Sequence, residues 1–470
     1  MRRTMNIVFN TIATLLQICF DFILSVFPAE RKTEFDADFL SPGEILNRFN
    51  KGFSINGKSL CLDDSFKNIL VLGQTGSGKS TCVSIPTCLK MIGTASLCIN
   101  DPSGEIAANV SGAFKQAGYE VKIINYMKPE CGGYNPLHRI KTKSDIYKVS
   151  EQIVFTSLGR GKDLFWNISA TNCLNIFIEL ACSLPEEYKT MHSVVSLLNT
   201  YSYDPTSTDR LILQSNIPSL IKEYKVFNSY DPKVIQNIIA TVKAATKVFQ
   251  DPKVALTTAY DTVSFENCRK VPTVIFFNNN VTAMKYYGVI TSIFFEQFFA
   301  EILSRIPSKR ELPVFFVIDE ASSLFLSSLQ ITVANIRKVR AGVMSIFQSY
   351  HQISSLYGID EAKALKENCY STVFLPGQPL DVSKEISACL GSFEFLDEQN
   401  IKRTRLLLTP DEVHQLDDCL LLCGNRRAVK LPMRPFFKDF TLKRLSQIPP
   451  YIPANVLPFD TPPEIKYDTQ

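Results

Sequence analysis

Short and continuously apolar runs alternate with helical stretches in two parts of the chain, which begin near residues 67 and 266. Continuous apolarity is typical of strands that are buried on both faces of a parallel sheet, and the stretches between such strands are expected to form helices that cover those faces. The pattern therefore predicts an α/β fold with a mainly parallel sheet. The predicted strands are 68–73, 95–100, 120–126, 273–277, 314–318, 343–347, 372–375 and 419–423.

The segment between these two parts has no clear strands and carries long helical periodicities, at 170–184 and 234–249. This pattern predicts an all-α domain that is inserted into the sheet domain. The end of the chain is rich in proline and is expected to lie extended on the surface. The predicted organisation is a sheet domain at 31–143 and 266–440, an all-α domain at 144–265 and a Pro-rich tail at 441–470.

Residues 1–30 are predicted to form a hydrophobic helix, and the stretch 5–27 is long enough to span a bilayer. Its polar residues recur every three or four positions and would form one stripe, which predicts either a membrane helix packed against a partner or an amphipathic helix lying in the interface. A helix docked on its own domain is the alternative. We expect membrane association, without a predicted orientation because basic residues flank both ends. The striped residues are Asn6, Asn10, Thr14, Gln17 and Asp21.

Charge and cysteine content narrow the functional classes only slightly. The net charge of +4 neither requires nor excludes a nucleic-acid partner. The 13 cysteines include no CxxC pair and lie in apolar contexts, which indicates reduced thiols rather than a disulfide framework. None of the four histidines stands at zinc-ligand spacing from a cysteine pair, which argues against a zinc site.

The strongest chemical signal is a glycine-rich loop of the P-loop (Walker A) type, with Gly73, Gly78, Lys79 and Ser80 at its fixed positions. The loop follows a predicted strand and precedes a predicted helix, so its backbone N–H groups can surround phosphates. Lys79 would reach the β and γ phosphates of ATP, and the Ser80 hydroxyl would bind Mg²⁺. The predicted nucleotide-binding residues are Gly73, Gln74, Thr75, Gly76, Ser77, Gly78, Lys79, Ser80 and Thr81.

Two carboxylates, Asp319 and Glu320, end a predicted core strand. The carboxyl ends of parallel strands form the ligand-binding edge of a sheet, so Asp319 is predicted to hold Mg²⁺ and Glu320 to orient and deprotonate the attacking water. Gln348 ends the next predicted strand and is expected to bind that water or the γ-phosphate. The alternatives are an ordinary solvated turn for the acids and a helix cap for Gln348.

Arg337 and Arg340 are candidates for a catalytic arginine that acts on the site of a neighbouring subunit. A planar guanidinium can neutralise charge that develops on the γ-phosphoryl group. The alternative for both residues is a solvated helix face.

Together with the loop and the Asp319-Glu320 strand, several further motifs occur in an order that resembles the type IV secretion coupling proteins. The resemblance covers roughly residues 65–440 and implies a P-loop NTPase fold similar to RecA and FtsK. The further motifs are 101–105, 134–137, 165–166, 249–252, 348–358, 386–391 and 407–413.

The resemblance implies an ATPase that assembles as a homohexamer on the bacterial inner membrane, with its catalytic domain in the cytoplasm. Such a protein hands single-stranded DNA, with its attached relaxase or an effector protein, to a type IV secretion channel. Two departures from the family pattern are Ser103, where members often carry Lys, and a single polar-striped N-terminal segment where the family usually has two membrane helices. The alternatives are a soluble DNA translocase of the FtsK kind and a nucleotide-switched adaptor that recruits cargo without pumping.

Overall fold

The structure is a computed structural model that describes residues 36–159, 164–279 and 284–465. The predicted helix at 1–30 therefore lies outside the described residues. Strands of the described chain form one large sheet and two short hairpins. In chain order they are β1 (Ser54–Ile55), β2 (Lys58–Ser59), β3 (Ile69–Leu72), β4 (Ser96–Asn100), β5 (Glu120–Ile124), β6 (Thr273–Phe277), β7 (Val314–Ile318), β8 (Ala341–Phe347), β9 (Ser371–Phe374), β10 (Ser392–Leu396), β11 (Lys402–Leu406), β12 (Cys419–Cys423) and β13 (Val429–Leu431).

The large sheet has nine strands in the order β13-β12-β9-β3-β8-β7-β4-β6-β5. The seven strands from β9 to β5 are parallel to one another, whereas β12 is antiparallel to β9 and β13 is antiparallel to β12. The central strands are buried along their whole length, which explains their continuous apolarity. This architecture confirms the predicted α/β fold with a mainly parallel sheet.

Helices cover the sheet and fill the segment between β5 and β6. The α-helices are Leu62–Ser65, Ile85–Met91, Glu105–Gln116, Lys143–Leu158, Leu164–Ser183, Met191–Tyr203, Pro205–Gln214, Pro218–Asn228, Pro232–Ala245, Pro252–Thr257, Met284–Leu303, Leu329–Asn335, Tyr350–Tyr357, Ile359–Glu367, Leu380–Leu390, Pro410–His414 and Phe440–Ser446. Single 3₁₀ turns occur at Pro42–Glu44, Pro129–Cys131, Pro136–Arg139, Glu186–Tyr188, Lys247–Gln250, Asn267–Arg269, Ala321–Ser323, Ile336–Val339 and Phe436–Lys438.

The described residues divide into two compact units. The smaller unit contains 36–40 and Pro379–Gln415, with one helix packed beside the hairpin β10–β11, and the larger unit contains all the rest. The helices from Lys143–Leu158 to Pro252–Thr257 occupy the segment predicted to be helical, but they belong to the larger unit. The domain boundaries drawn from the sequence stay predictions.

The Pro-rich tail begins with the helix Phe440–Ser446, which was expected to be extended, and continues without regular structure. It is tied to the larger unit by hydrogen bonds from Tyr451 N to Ser111 Oγ (3.0 Å) and from Val456 N to Glu130 O (3.0 Å). A Cβ atom at Gly112 would lie 2.0 Å from the carbonyl oxygen of Pro449, so the tail passes where only glycine fits. Within the described residues, no helix has both the length and the apolarity needed to cross a bilayer.

Candidate nucleotide site

The glycine-rich loop follows β3 at the carboxyl edge of the sheet, and its glycines have specific roles. A Cβ atom at Gly73 would lie 2.5 Å from Ser77 Oγ and 2.8 Å from Leu375 Cδ1. Gly76 and Gly78 have φ angles of 82° and 90°, in the left-handed region that favours glycine. The chain therefore turns back tightly and presents its backbone N–H groups at the start of the following helix.

That helix starts with a wide π-helical turn at Lys79–Ser84 before it continues as Ile85–Met91. Pro86 stands in the first turn of the α-helix and has no N–H group to donate to the carbonyl of Cys82. The Cys82 carbonyl instead accepts a hydrogen bond from Asn56 N (2.9 Å). The helix after the loop is thus shaped by one proline and by an asparagine from the hairpin β1–β2.

Lys79 lies across the loop and faces the carboxylates. Its Nζ donates to Gly73 O (3.1 Å) and Gln74 O (3.5 Å) and lies 4.0 Å from Glu320 Oε1. The Lys79 side chain is only 11% exposed. A shielded ammonium group is therefore positioned at the loop where phosphates are predicted to bind.

Glu320 and Gln348 meet at the same edge, as the sequence predicted. Gln348 Nε2 donates to Glu320 Oε1 (2.8 Å), and Gln348 N donates to Gln352 Oε1 (2.9 Å). Glu320 has φ 48° and ψ 53°, a left-handed conformation that few residues other than glycine adopt. Such backbone strain costs about 1–3 kcal/mol and is found preferentially at functional sites.

Asp319 is buried between neighbouring strands. Both backbone polar groups of Asp319 form hydrogen bonds with Asn100. Asp319 O accepts from Asn100 Nδ2 (2.6 Å), and Asp319 N donates to Asn100 O (3.2 Å). Among the described residues, Asp319 Oδ1 has no hydrogen-bond partner although it is buried. Burial, and next the charges of Asp101 and Glu320, raise the pKa of Asp319 to about 7.

Asp101 belongs to this site, although the sequence indicated it only as part of a family motif. It ends β4, and its carboxylate accepts from Ile106 N (3.3 Å), Ala107 N (2.7 Å) and Ser103 Oγ (3.4 Å). Burial raises the pKa of Asp101 to about 6. Ser103 therefore supports a buried carboxylate.

The residues predicted to hold Mg²⁺, Ser80 and Asp319, provide hydroxyl and carboxylate oxygens, the ligands that this ion prefers. The unpartnered and buried Asp319 Oδ1 supports this assignment, since a buried carboxylate oxygen is normally satisfied. No group of three or more His, Cys, Asp and Glu residues in the described ranges could hold a metal alone. Ser80 and Asp319 are two ligands, and Mg²⁺ usually binds through one or two protein ligands, water and substrate phosphates.

A further residue of the site, Gln378, was missed in the sequence. It is buried, and its Nε2 donates to Leu72 O (3.1 Å) and Leu375 O (2.7 Å), so it ties the end of β3 to the end of β9. The sequence marks Gln378 in the same way as Gln348, because both are amide side chains that follow a core strand. Gln378 supports the glycine-rich loop from the side opposite to Gln348.

Arg337 and Arg340 lie at the amino end of β8, at the sheet edge opposite to Lys79. Arg340 Nη1 donates to Ser308 O (2.9 Å) and Glu311 O (3.0 Å), whereas Arg337 is exposed. Neither arginine contributes to the site of its own chain. Their action on a neighbouring subunit stays a prediction.

Comparison with known proteins agrees with this fold. The family model for "Type IV secretory system Conjugative DNA transfer" matches residues 40–456. The chain is 27% identical over 319 residues to a probable conjugal transfer protein TraG of Sinorhizobium fredii (strain NBRC 101917 / NGR234), covering 64% of this chain and 49% of that protein. It is 26% identical over 328 residues to the conjugal transfer protein TraG of Agrobacterium fabrum (strain C58 / ATCC 33970), covering 66% and 49%. The chain thus spans about half the length of these curated relatives.

Solved structures of the coupling protein TrwB share the fold. TrwBdeltaN70 in complex with sulphate superposes with a TM-score of 0.70 at 17% identity and covers 91% of this chain and 98% of its own. TrwB in complex with ADP and Mg²⁺ has a TM-score of 0.67 at 17% identity and covers 92% and 97%. Because the family model covers most of the chain, this protein belongs to the type IV secretory system conjugative DNA transfer family.

Proposed function

We propose that this protein is an ATP-hydrolysing coupling protein that binds Mg²⁺ and ATP at the loop 73–80. The proposal is supported by the family, by the shape of the loop and by the carboxylates that face it. The nucleotides named for the TrwB structures, which include ADP with Mg²⁺, point to the same ligands.

Each residue of the site has a separate role in this proposal. The backbone N–H groups of the loop bind the phosphates, and Lys79 places its charge at the β and γ phosphates. Ser80 and Asp319 hold Mg²⁺, which neutralises charge on the phosphate oxygens when it is bound. Burial, and next the charge of Asp101, raise the pKa of Asp319, and the negative charge of Asp101 adds to the attraction of this edge for a cation.

Glu320 orients the attacking water and accepts its proton. Gln348 holds the Glu320 carboxylate through its 2.8 Å hydrogen bond, so the carboxylate cannot rotate freely. The Glu320 side chain reaches the loop from a left-handed backbone, and its Oε1 lies 4.0 Å from Lys79 Nζ. This convergence of Lys79, Glu320 and Gln348 is the observation on which the proposal rests.

A Glu320→Gln variant tests the proposal. We expect it to bind ATP about as well as the wild type and to hydrolyse ATP roughly 10²–10⁴-fold more slowly, the range for loss of a general base. Binding is measured by calorimetry and hydrolysis by phosphate release, with Glu367→Gln as the control because Glu367 is an exposed glutamate outside the site. Wild-type hydrolysis in Glu320→Gln would contradict the assigned role.

The same variant separates a motor from an adaptor. A motor that drives a relaxase-bound single-stranded DNA, or an effector protein, into a type IV secretion channel should lose conjugative transfer with hydrolysis. An adaptor that needs only the ATP-bound state should keep cargo recruitment and much of the transfer. We infer the motor role because the site contains residues placed for hydrolysis as well as for binding.

The proposed working form is a homohexamer at the bacterial inner membrane with its catalytic domain in the cytoplasm. ATPase rate and oligomer size, measured with and without single-stranded DNA, test the assembly, and DNA-stimulated ring formation is the expected result. Deletion of residues 1–30 followed by cell fractionation tests the membrane association. Equal partitioning of the truncated and full-length proteins would favour the soluble FtsK-like translocase instead.

A further inference from the structure

We propose that the segment 432–435, which follows β13, binds the nucleoside part of the nucleotide, with Met433 against the base and ribose and Arg434 stacked on the base. The inference rests on the proposed function, because it requires that the loop 73–80 binds the triphosphate. It adds two residues that determine how the enzyme distinguishes a nucleotide from a bare polyphosphate.

Sheet topology places this segment at the correct edge. Two successive antiparallel pairings, β9 with β12 and β12 with β13, make β13 run in the same direction as β3. The chain therefore leaves Leu431 at the carboxyl edge of the sheet, where the loop 73–80 also lies. A segment that is far from the loop in sequence thus arrives beside it.

The order of the strands also decides which end of the nucleotide faces the segment. Strands β8 and β7, which carry Gln348 and Glu320, lie on one side of β3, whereas β9, β12 and β13 lie on the other. The residues for hydrolysis mark the γ-phosphate end. A triphosphate that extends along the loop from that end directs its nucleoside toward the β13 side.

Met433 contacts the loop at the position where the nucleoside would leave it. Its Cε atom lies 3.0 Å from the place of a Cβ atom on Gly78, and Cys82 Sγ lies 3.3 Å from the same place. The Met433 side chain is half-buried, so it presents apolar surface that is still accessible to a ligand. A flexible thioether is well suited to pack against the flat face of a base.

Asn56 holds the segment in place. It is buried, and its Oδ1 accepts from Arg434 N (3.1 Å), its Nδ2 donates to Cys419 Sγ (3.0 Å) and its N donates to Cys82 O (2.9 Å). Asn56 thus joins the segment to β12 through its side chain and holds the helix after the loop through its backbone N–H. Prolines at 432 and 435 restrict the backbone further, because each fixes its own φ and keeps the preceding residue extended.

Arg434 is exposed, and its guanidinium has no partner within the described part of the chain. A planar and weakly hydrated cation stacks well on an aromatic base. Arg426 provides a matched control, because it is an exposed arginine in the turn between β12 and β13, at the opposite end of the same hairpin.

The test compares binding of a non-hydrolysable ATP analogue, β,γ-imido-ATP, with binding of inorganic tripolyphosphate, both with Mg²⁺ and by calorimetry. In Met433→Ala and Arg434→Ala we expect the affinity for the analogue to fall roughly three- to tenfold, the loss for one apolar or stacking contact. The affinity for tripolyphosphate should not change. Met433→Leu should retain most of the analogue affinity, and Arg426→Ala should retain all of it.

Two outcomes would overturn the inference. An equal loss for both ligands would mean that the substitutions act through the shape of the loop, and unchanged analogue affinity in both variants would mean that the segment does not contact the nucleoside. Failure of the wild type to bind either ligand would instead refute the proposed function, and the inference with it. Binding of tripolyphosphate also verifies that each variant is folded.

Discussion

Two polar clusters of the larger unit differ in how completely their carboxylates are satisfied. Asp261 accepts a bidentate pair of hydrogen bonds from Arg139 (2.9 and 3.0 Å), a bond from Asn135 N (3.1 Å) and a contact from His138 Nδ1 (2.6 Å). Asp319, in contrast, is more deeply buried and has an oxygen without a partner in the described structure. The nearest cation at its edge, Lys79, is bound mainly to backbone carbonyls.

This difference separates a structural cluster from a functional one. A buried carboxylate with all its bonds made stabilises the fold, whereas an unsatisfied one costs free energy and persists where a ligand completes its environment. The Asp261 cluster joins the 3₁₀ turn Pro136–Arg139 to the residues that lead into β6. The Asp319 cluster lies at the ends of β4, β7 and β8 and faces the glycine-rich loop through Lys79. The following predictions perturb one cluster at a time.

The largest effect is expected for Lys79→Ala at the functional cluster. Removal of the ammonium should abolish measurable ATP hydrolysis and conjugative transfer, because Lys79 Nζ lies at the loop, 4.0 Å from Glu320 Oε1, where the β and γ phosphates are proposed to bind. Phosphate release measures the loss, and urea unfolding should give nearly wild-type stability. Retained hydrolysis would refute the assignment of the site.

Asp261→Ala at the structural cluster should have the opposite effect: it should lower the stability of the fold and leave ATP binding unchanged. The substitution leaves Arg139 and His138 without their shared carboxylate, and breaking such a pair should lower the free energy of unfolding by about 3 kcal/mol. Urea unfolding measures the change. At temperatures where the variant is folded, its affinity for ATP should match that of the wild type. An unchanged stability would remove the distinction between the two clusters.

The smallest of the expected effects is a gain in stability for Asp319→Asn. Because the pKa of Asp319 is raised from 3.8 to about 7, the folded state binds the proton more tightly than the unfolded state does. The wild type therefore loses stability as the pH rises from about 4 to 7, by about 4 kcal/mol. An asparagine avoids this cost but adds a buried amide, so we expect a net gain of about 2 kcal/mol at pH 8.

This gain should disappear near pH 5, where protonation of Asp319 in the folded wild type removes most of the difference. Urea unfolding at the two pH values, without nucleotide, gives the comparison. The same variant should bind Mg²⁺ and ATP more weakly. A variant that is less stable than the wild type at pH 8 would mean that the ionised Asp319 is satisfied in the folded state.

Contiguous features of the site could be predicted from the sequence, but contacts between distant segments could not. The loop around Lys79 was predictable because its glycines, its lysine and the flanking strand and helix are adjacent in the chain. Asp319 and Glu320 were predictable because acids at the end of an apolar parallel strand must lie at the ligand edge. Their meeting with Gln348 follows from the same rule.

The order of the strands has no local signal, so the sequence could not place Asp101 near Asp319 or Gln378 between the ends of β3 and β9. The contact between Asn56 and Met433 joins positions 377 residues apart. The hairpin β10–β11 was also missed, because β11 is exposed along its whole length and lacks the alternation of apolar and polar residues that marks a half-buried strand.

The most direct test of the account is an experimental structure with Mg²⁺ and a non-hydrolysable ATP analogue. We expect the triphosphate on the loop 73–80, with Ser80 Oγ and the Asp319 carboxylate around the same Mg²⁺. We also expect Glu320 to face the γ-phosphate. A nucleotide bound elsewhere, or a metal ion remote from both Asp319 and Glu320, would contradict the account.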